Sequence, residues 1–280
     1  VVIVLATDDR DASIVLAWLF VVLLLPVLGL VAYFFIGRNF RRDSPWRRRA
    51  VAQMEAVAAE SLAPVEAANT EFTREAVNDL AATPGARIES VGSVEGGVSP
   101  LPADTVDVYT AGAQKFPALL DEMAAAERYI HLMYLIWEQD ELTARVTEVL
   151  LDRLAAGVKV HILYDWFSCL PYRKDELKRL AAAGALVRPC YRRLRQINYR
   201  NHMKMVIVDG RSVYSGGMNM GQEYIDGGPR FDVWRDTSFR LSGPAVAPYL
   251  MLFASTWLYT GGKEDLATDF MPPATEHHRH

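Results

Sequence analysis

The chain has 280 residues, of which 51% are hydrophobic and 23% charged, and its formal net charge is −4. This length allows one sizeable core or two small domains, and the slightly acidic balance excludes attraction of nucleic acid by overall charge. The two cysteines, Cys169 and Cys190, form no C-x-x-C pair. This excludes a disulfide framework and a cysteine-based zinc site, and we expect two buried thiols.

An uncharged apolar run covers residues 14–36, with Trp18 and Tyr33 near its two ends. At ~1.5 Å per residue, a helix of this length crosses a ~30 Å hydrocarbon core, and aromatic residues favour the two interfaces. The run is too long for the apolar region of a signal peptide, so we predict a transmembrane helix rather than a buried core helix. Acidic residues precede it, and an arginine cluster that places the following residues in the cytoplasm comes after it: Arg38, Arg41, Arg42, Arg47, Arg48 and Arg49.

The segments on either side of this run are less informative. Within residues 1–13, the apolar residues 1–6 either are the end of an earlier membrane span or belong to no span. If they end a span, residues 7–13 form a tight turn outside the membrane. Residues 37–102 are rich in Ala and Glu and then in Gly, Ser and Pro. This composition predicts a juxtamembrane connector, helical over residues 50–82, followed by a linker.

From residue 103 onward, apolar strand patterns alternate with helical patterns. The Asp209-Gly210 pair between two short strands predicts a hairpin turn. The alternation predicts an α/β layered domain over residues 103–262, and residues 263–280 are a tail or a connector. Strands are predicted at residues 106–109, 129–137, 158–164, 186–188, 205–208, 212–215 and 237–241, and helices at residues 116–126, 141–156, 174–183 and 245–259.

The most informative segment begins at His202 and ends at Asn219. His202 and Lys204 are two residues apart before a strand, so their side chains share one face. Gly216 and Gly217 allow backbone N–H groups to approach a ligand closely, and Asn219 adds an amide donor. An imidazole surrounded by a cation, backbone N–H groups and an amide indicates a site for a phosphodiester that needs no metal and no cofactor.

A simpler interpretation exists for several of these residues. His202 is an ordinary strand histidine if the motif is accidental, although the G-G-x-N sequence at this offset makes coincidence improbable. The arginines near His202 are either a solvated face or a funnel for anionic head groups beside an anionic leaflet. They are Arg188, Arg192, Arg193, Arg195 and Arg200. The histidines at positions 277, 278 and 280 indicate a disordered end rather than a metal-binding tail.

The motif H-x-K-x4-D-x6-G-G-x-N resembles the HKD signature of the phospholipase D superfamily, and its flanks resemble bacterial cardiolipin synthases. The resemblance implies one half of a phospholipase D-like α/β/α fold behind the N-terminal transmembrane helix. Met133 stands where the family often has Glu, and residues 167–169 stand where Gly-Ser is usual, which affects the substrate pocket. The similar flanks are residues 115–120, 198–201, 221–224, 234–237 and 243–245.

The resemblance also implies roles for single residues. His202 attacks phosphorus and forms a phosphatidyl-histidine, while Lys204 and Asn219 neutralise the phosphoryl oxygens. Asp209 belongs to the catalytic signature, where we expect it to hold the loop or to pair with a cation rather than to react.

Two carboxylates are candidates for orienting His202. Asp236 either accepts a hydrogen bond from the far nitrogen of His202 or forms a surface ion pair with Arg235 or Arg240, and Glu223 is the second candidate.

The implied activity is conversion of two phosphatidylglycerols to cardiolipin and glycerol at the bacterial cell membrane, with anionic phospholipids as partners. No second H-x-K occurs in the sequence. We therefore expect a second HKD half, either from a continuation past residue 280, which we favour, or from a homodimer partner. Two alternatives stay open: a phosphodiesterase or nuclease acting as a homodimer, and an inactive half-domain acting as a membrane adaptor. We expect no nucleic-acid partner.

Overall fold

The computed structural model describes residues 12–33, 60, 62–81, 100–172, 174–192, 200–228, 232 and 234–263. At the N-terminus, helix α1 (Ala12–Leu24) and helix α2 (Pro26–Ala32) follow each other, with Leu25 between them. The helix predicted over residues 14–36 is therefore interrupted at Leu25 within the described residues. Pro26 cannot donate to the preceding turn, and its ring disfavours helical geometry at Leu25, whose φ and ψ are −129° and 72°.

The two N-terminal helices fold back on each other at this break. The rings of Trp18 and Tyr33 lie 5.5 Å apart, although the sequence separation predicted that they occupy opposite interfaces. A Cβ atom at Gly29 would lie 2.6 Å from the carbonyl oxygen of Val21, so glycine permits the close approach. Among the residues that the structure describes, no helix is long and apolar enough to cross a bilayer.

The rest of the chain alternates strands and helices, as the sequence predicted, after a connector helix α3 (Thr70–Ala81). The strands are β1 (Val106–Tyr109), β2 (Tyr129–Tyr134), β3 (Lys159–Asp165), β4 (Leu186–Cys190), β5 (Met205–Val208), β6 (Ser212–Gly216) and β7 (Ser238–Ser242). The helices are α4 (Gly112–Ala124), α5 (Glu141–Ala155), α6 (Asp175–Ala182), α7 (Glu223–Asp226) and α8 (Ala247–Tyr259), with a 3₁₀ turn at Pro244–Val246.

The seven strands form one mixed sheet in the order β1-β7-β6-β5-β2-β3-β4. Strands β2, β3 and β4 are parallel, whereas β5, β6, β7 and β1 pair antiparallel from β2 outward. Met133 near the end of β2 pairs with Met205 at the start of β5. This register places the residues that precede β5 beside the C-terminal ends of β2 and β3. We call this end of the sheet the sheet edge.

Helices cover both faces of the sheet, which confirms the layered α/β prediction. All six residues of β2 are buried because the two faces of this central strand contact different helical layers. Ile130 and Leu132 pack with Phe116 and Leu142 of α4 and α5. On the other face, Tyr129 and Met133 pack in a second core with α8 that includes Leu250, Phe253 and Trp257. The end of β2 is therefore packed against a helical layer on each face of the sheet.

Local signals in the sequence explain why the elements begin and end where they do. Asp140 caps α5 by accepting from the Thr143 N–H at 2.9 Å, and the Thr143 hydroxyl oxygen accepts in turn from the Asp140 N–H at 3.0 Å. Gly157 and Gly184 follow α5 and α6 at φ values of +87° and +107°, as expected for glycines that close helices. The hairpin turn at Asp209-Gly210 is confirmed, with both residues at positive φ.

Candidate active site

Most of the motif residues lie at the sheet edge. His202 and Lys204 precede β5, Gly217 and Asn219 follow β6, and β2 and β3 end beside them. Antiparallel pairing of β5 with both β2 and β6 makes this arrangement unavoidable, because the start of β5 then lies between two strand ends. The residues before one strand and after the next therefore converge in space.

His202 and Lys204 are in direct contact, as their spacing predicted. The Lys204 ammonium Nζ lies 3.1 Å from Nδ1 and 3.3 Å from Nε2 of His202, and it donates to the His202 carbonyl oxygen at 2.8 Å. The imidazole is exposed, whereas Lys204 is only 3% exposed. Burial lowers the pKa of Lys204, and the negative charge of Asp236 opposes that effect. The pair thus places an exposed imidazole against a buried cation.

Asn219 lies beyond the end of β6 and is held from two sides. Its Nδ2 donates to the Tyr224 hydroxyl at 3.0 Å, and its Oδ1 accepts from the Ile136 N–H at 3.4 Å. The side chain is 8% exposed. An amide nitrogen carries two N–H groups, so the contact with Tyr224 leaves a second donor for a phosphoryl oxygen.

The structure gives the Gly217 N–H a partner in the sheet, and phosphate binding by Gly216 stays a prediction. The Gly217 N–H donates to the Thr237 carbonyl oxygen at 2.9 Å, so this N–H is committed to the sheet rather than to a ligand. A Cβ atom at Gly216 would lie 2.5 Å from the backbone of Ser238, and one at Gly217 would overlap the Asp236 carboxylate. The absence of side chains at these positions lets the start of β7, and Asp236 with it, approach the end of β6.

Asp236 is therefore close to the site, and of its three predicted partners only Arg240 is excluded by the contacts observed. Its Oδ1 accepts from the Thr237 N–H at 2.6 Å, and its charge acts on both Lys204 and Lys115. The alternative ion pair with Arg240 is wrong, because that guanidinium donates to Glu122 at 2.7 Å and to Asp107 at 3.4 Å. Asp236 as the residue that orients His202 stays a prediction.

Asp209 lies at the opposite end of β5 from His202, and its placement corrects its inclusion among the catalytic residues. Its Oδ2 accepts from the Glu127 N–H at 2.9 Å, and its Oδ1 accepts from the N–H groups of Arg128 and Tyr129 at 2.8 and 2.9 Å. These bonds clamp the β5–β6 turn to the start of β2. The expectation that Asp209 holds the loop agrees with this geometry.

Glu223 lines a separate cavity of about 590 Å³, together with Glu138, Asp140 and Asp226. His202 is not among the residues that line this cavity, so the structure does not bring Glu223 to the imidazole. Glu223 begins the short helix α7, which was not predicted from the sequence. Among the described residues, no cluster of three or more His, Cys, Asp or Glu could hold a metal ion.

Three of the five arginines near His202 lie within the described residues. Arg192 is exposed beyond the end of β4, and the Arg200 guanidinium lies 3.8 Å from the ring centroid of Phe167. Arg188 instead donates to the Thr260 carbonyl oxygen at 2.8 Å on the face covered by α8, so it does not belong to the funnel. Arg193 and Arg195 lie outside the described residues, as do the three histidines near residue 280.

Two buried residues that support the site were missed. The Asp165 Oδ2 at the end of β3 accepts from the Asn201 N–H at 2.9 Å, directly before His202. Lys115 is 1% exposed on α4, where burial lowers its pKa to about 7 against the opposing charge of Asp236. A signal existed for Lys115, because it occupies the same helical face as Leu119.

Comparisons with known proteins agree with this geometry. Residues 1–38 match the family described as phospholipase D-nuclease N-terminal, and residues 119–228 match the family described as cardiolipin synthase, PLD-like domain. The second match contains the whole segment from His202 to Asn219. Residues 119–228 are thus similar to the phospholipase D-like domain of cardiolipin synthases.

Relatives of this cardiolipin synthase-like chain include the major cardiolipin synthase ClsA of Bacillus subtilis, 36% identical over 91% of this chain and 54% of that protein. A cardiolipin synthase of Geobacillus kaustophilus is 30% identical over 98% of this chain and 54% of that protein. The chain thus spans about half the length of these curated relatives. The crystal structure of Nuc, a phospholipase D family member from Salmonella typhimurium, has a TM-score of 0.45 and 16% identity, and the match covers 55% of this chain and 94% of that chain.

Proposed function

We propose that this chain supplies one half of a phosphatidyltransferase site that makes cardiolipin from two phosphatidylglycerols. In the first step a ring nitrogen of His202 attacks phosphorus, and the bond from phosphorus to the glycerol oxygen breaks as glycerol takes a proton from a general acid that the second half supplies. In the second step a hydroxyl of another phosphatidylglycerol attacks the same phosphorus and gives its proton back to that group, while the N–P bond breaks. Cardiolipin and free histidine result, so atoms and charges balance without an oxidant or reductant.

The observation that carries this proposal is the contact between Lys204 and His202 at 3.1 Å on the sheet edge. A buried ammonium beside the nucleophile stabilises the negative charge that develops on the phosphoryl oxygens, since no solvent reorganisation is needed there. Asn219, fixed by Tyr224 at the end of the neighbouring strand, adds a neutral donor. Similarity to the cardiolipin synthases of Bacillus subtilis and Geobacillus kaustophilus supports phosphatidylglycerol as the substrate.

We also propose that residues 14–36 anchor the chain in the bacterial cell membrane, with the sheet domain on the cytoplasmic side. Large apolar side chains along this segment are exposed to the surroundings: Leu16, Phe20, Leu23, Leu24, Leu25, Val27 and Leu28. Contiguous apolar surface of this kind is costly in water and stable in lipid. The arginines that follow favour the cytoplasmic side of the bilayer.

The test is cardiolipin formation by the purified protein in phosphatidylglycerol vesicles. We expect His202→Ala to abolish cardiolipin formation and Lys204→Ala to lower it roughly 10²-fold or more, since each removes a group that acts on the phosphoryl centre. The control is Arg211→Ala, which removes an exposed cation paired with Glu127 at the far end of the β5–β6 hairpin. Phosphatidylglycerol labelled at phosphorus should leave an acid-labile adduct on the wild-type protein that His202→Ala lacks.

Two outcomes would contradict the proposal. One is full activity of His202→Ala, which would remove histidine from the chemistry. The other is loss of activity in EDTA that Mg²⁺ or Zn²⁺ restores, because the groups around His202 are an ammonium and an amide rather than metal ligands. Cleavage of DNA that depends on His202, with no cardiolipin formed, would favour the nuclease alternative.

A further inference from the structure

The loop that follows β3 exposes two large apolar side chains beside the candidate active site. We name residues 166–172 the edge loop. In it Phe167 is 38% exposed and Leu170 is 47% exposed. Because β3 ends at the sheet edge where β5 begins, this loop lies next to the segment that carries His202. Two exposed apolar side chains in one short loop give the surface beside the site a small apolar point of contact.

The edge loop is held in a fixed shape that forces these two side chains outward. The Ser168 N–H donates to Asp165 Oδ1 at 2.8 Å, and the Cys169 N–H donates to the Asp165 carbonyl oxygen at 3.1 Å. Cys169 is 1% exposed, and its Sγ donates to the Leu135 carbonyl oxygen at 3.4 Å. The buried thiol is therefore the base of the loop, and Phe167 and Leu170 on either side of it project away from the core.

The same loop is tied to the catalytic segment. Asp165 bonds Ser168 of the loop through one carboxylate oxygen and the Asn201 N–H, directly before His202, through the other at 2.9 Å. The Arg200 guanidinium stacks on Phe167 at 3.8 Å from the ring centroid. Apolar tips and a cation therefore belong to one rigid unit with the nucleophile.

We propose that the edge loop inserts Phe167 and Leu170 into the head-group region of an anionic bilayer, with Arg200 against the lipid phosphates. This inference rests on the proposed function, because His202 must meet a phosphodiester at the depth of the head groups. Aromatic and aliphatic tips flanked by arginine suit an anionic lipid interface. Two cations at this end of the sheet, Arg200 and the exposed Arg192, complement an anionic lipid surface. A second protein half is the other candidate occupant, and the test below distinguishes it from lipid.

The test places an environment-sensitive fluorophore on the full chain at Leu170→Cys. The matched control is Leu186→Cys, because Leu186 is 40% exposed and begins β4, at the end of the sheet opposite the sheet edge. Burial raises the pKa of Cys169 to about 11 and that of Cys190 to about 12, so a maleimide near pH 7 labels the introduced thiol selectively. The labelled chains are reconstituted in vesicles of phosphatidylglycerol with phosphatidylcholine, and in phosphatidylcholine alone.

We expect the label at position 170 to shift to the blue in phosphatidylglycerol vesicles and to be quenched severalfold by brominated lipid, whereas the label at position 186 changes little. Quenching should weaken without the anionic lipid. Equal quenching at both positions would overturn the inference. So would a label at position 170 that is shielded already without lipid, since a protein surface then covers the loop. The fluorescence of the label reports insertion whether or not the enzyme turns over. A chain that inserts but forms no adduct at His202 therefore refutes only the proposed function.

Discussion

At the scale of single residues, Asp209 has the clearest structural role in the motif. It is one of two non-glycine residues at positive φ among those described, with φ of +52°, and its carboxylate accepts three backbone hydrogen bonds from residues 127–129. Asp and Asn tolerate this backbone conformation because their short polar side chains bond locally. Aspartate suits this position for two separate physical reasons: it tolerates the positive φ, and its carboxylate can accept all three hydrogen bonds.

We predict a graded loss of stability at this position. Asp209→Asn keeps the Oδ1 acceptor and the conformation but loses the bond from Glu127, at a cost of about 1–2 kcal/mol in the free energy of unfolding. Asp209→Ala loses all three acceptor contacts and adds strain at positive φ, so we expect about 3 kcal/mol or more. Urea unfolding measures both values.

Activity per folded molecule separates this role from catalysis. We expect Asp209→Asn to retain most of its cardiolipin formation at a temperature where the variant is folded. A variant as stable as the wild type but inactive would show that Asp209 takes part in the reaction after all.

At the scale of elements, the junction between β6 and β7 determines how closely Asp236 approaches Lys204. Gly217 bonds to Thr237 across this junction and leaves no room for a side chain against the Asp236 carboxylate. The charge of Asp236 in turn supports the protonated form of Lys204 against desolvation. Packing of two strand ends is thus linked to the charge state of the phosphoryl-binding cation.

We predict that Gly217→Ala lowers cardiolipin formation at least tenfold while the protein still folds, because the new methyl group displaces the Asp236 carboxylate. The matched control is Gly221→Ala four residues later, where a Cβ atom would meet only the flexible Glu138 side chain, at 3.2 Å. Activity and far-ultraviolet circular dichroism of both variants measure the effect. Equal activity of the two variants would show that the position of Asp236 does not matter to the reaction.

Most elements of the sheet domain were predictable from local pattern, and the exceptions have physical causes. The strand at residues 106–109 and the hairpin at Asp209-Gly210 follow from alternation and from turn chemistry, which are local properties. The break at Leu25 was not predicted because the long apolar run was given more weight than the single proline that follows Leu25. Helix α7 covers only Glu223–Asp226, too short for a periodic signal.

The motif predicted which chemical groups lie in the site better than it predicted their hydrogen-bond partners. Contact between His202 and Lys204 follows from a spacing of two in extended chain. The partners of Asp209, Gly217 and Asp165 come from residues 20 to 82 positions away, so pattern alone could not assign them. Long-range register decides which atoms meet, and it is settled by packing of the whole sheet.

At the scale of the whole molecule, the proposed chemistry needs a proton donor opposite the nucleophile. One imidazole cannot stand in line on both sides of phosphorus during the first step. The described part of the chain offers His131 and His161 besides His202, and both are buried between β2, β3 and α8, where burial lowers the pKa of His131 well below its usual value. Neither lies on the sheet edge with Lys204.

The last prediction follows from this requirement: phosphatidyl transfer needs a second histidine, which the described residues do not place beside His202. If twin subunits provide it across a two-fold axis, an equal mixture of wild-type chain and His202→Ala, after subunit exchange, retains about one quarter of the activity, since only dimers with two intact copies work. If a separate second half provides it, the same mixture retains about one half. Light scattering gives the assembly state alongside each activity measurement. A strictly monomeric 280-residue chain that forms cardiolipin at the full rate would contradict the two-histidine requirement itself, because a single imidazole would then be acting on both sides of the phosphorus.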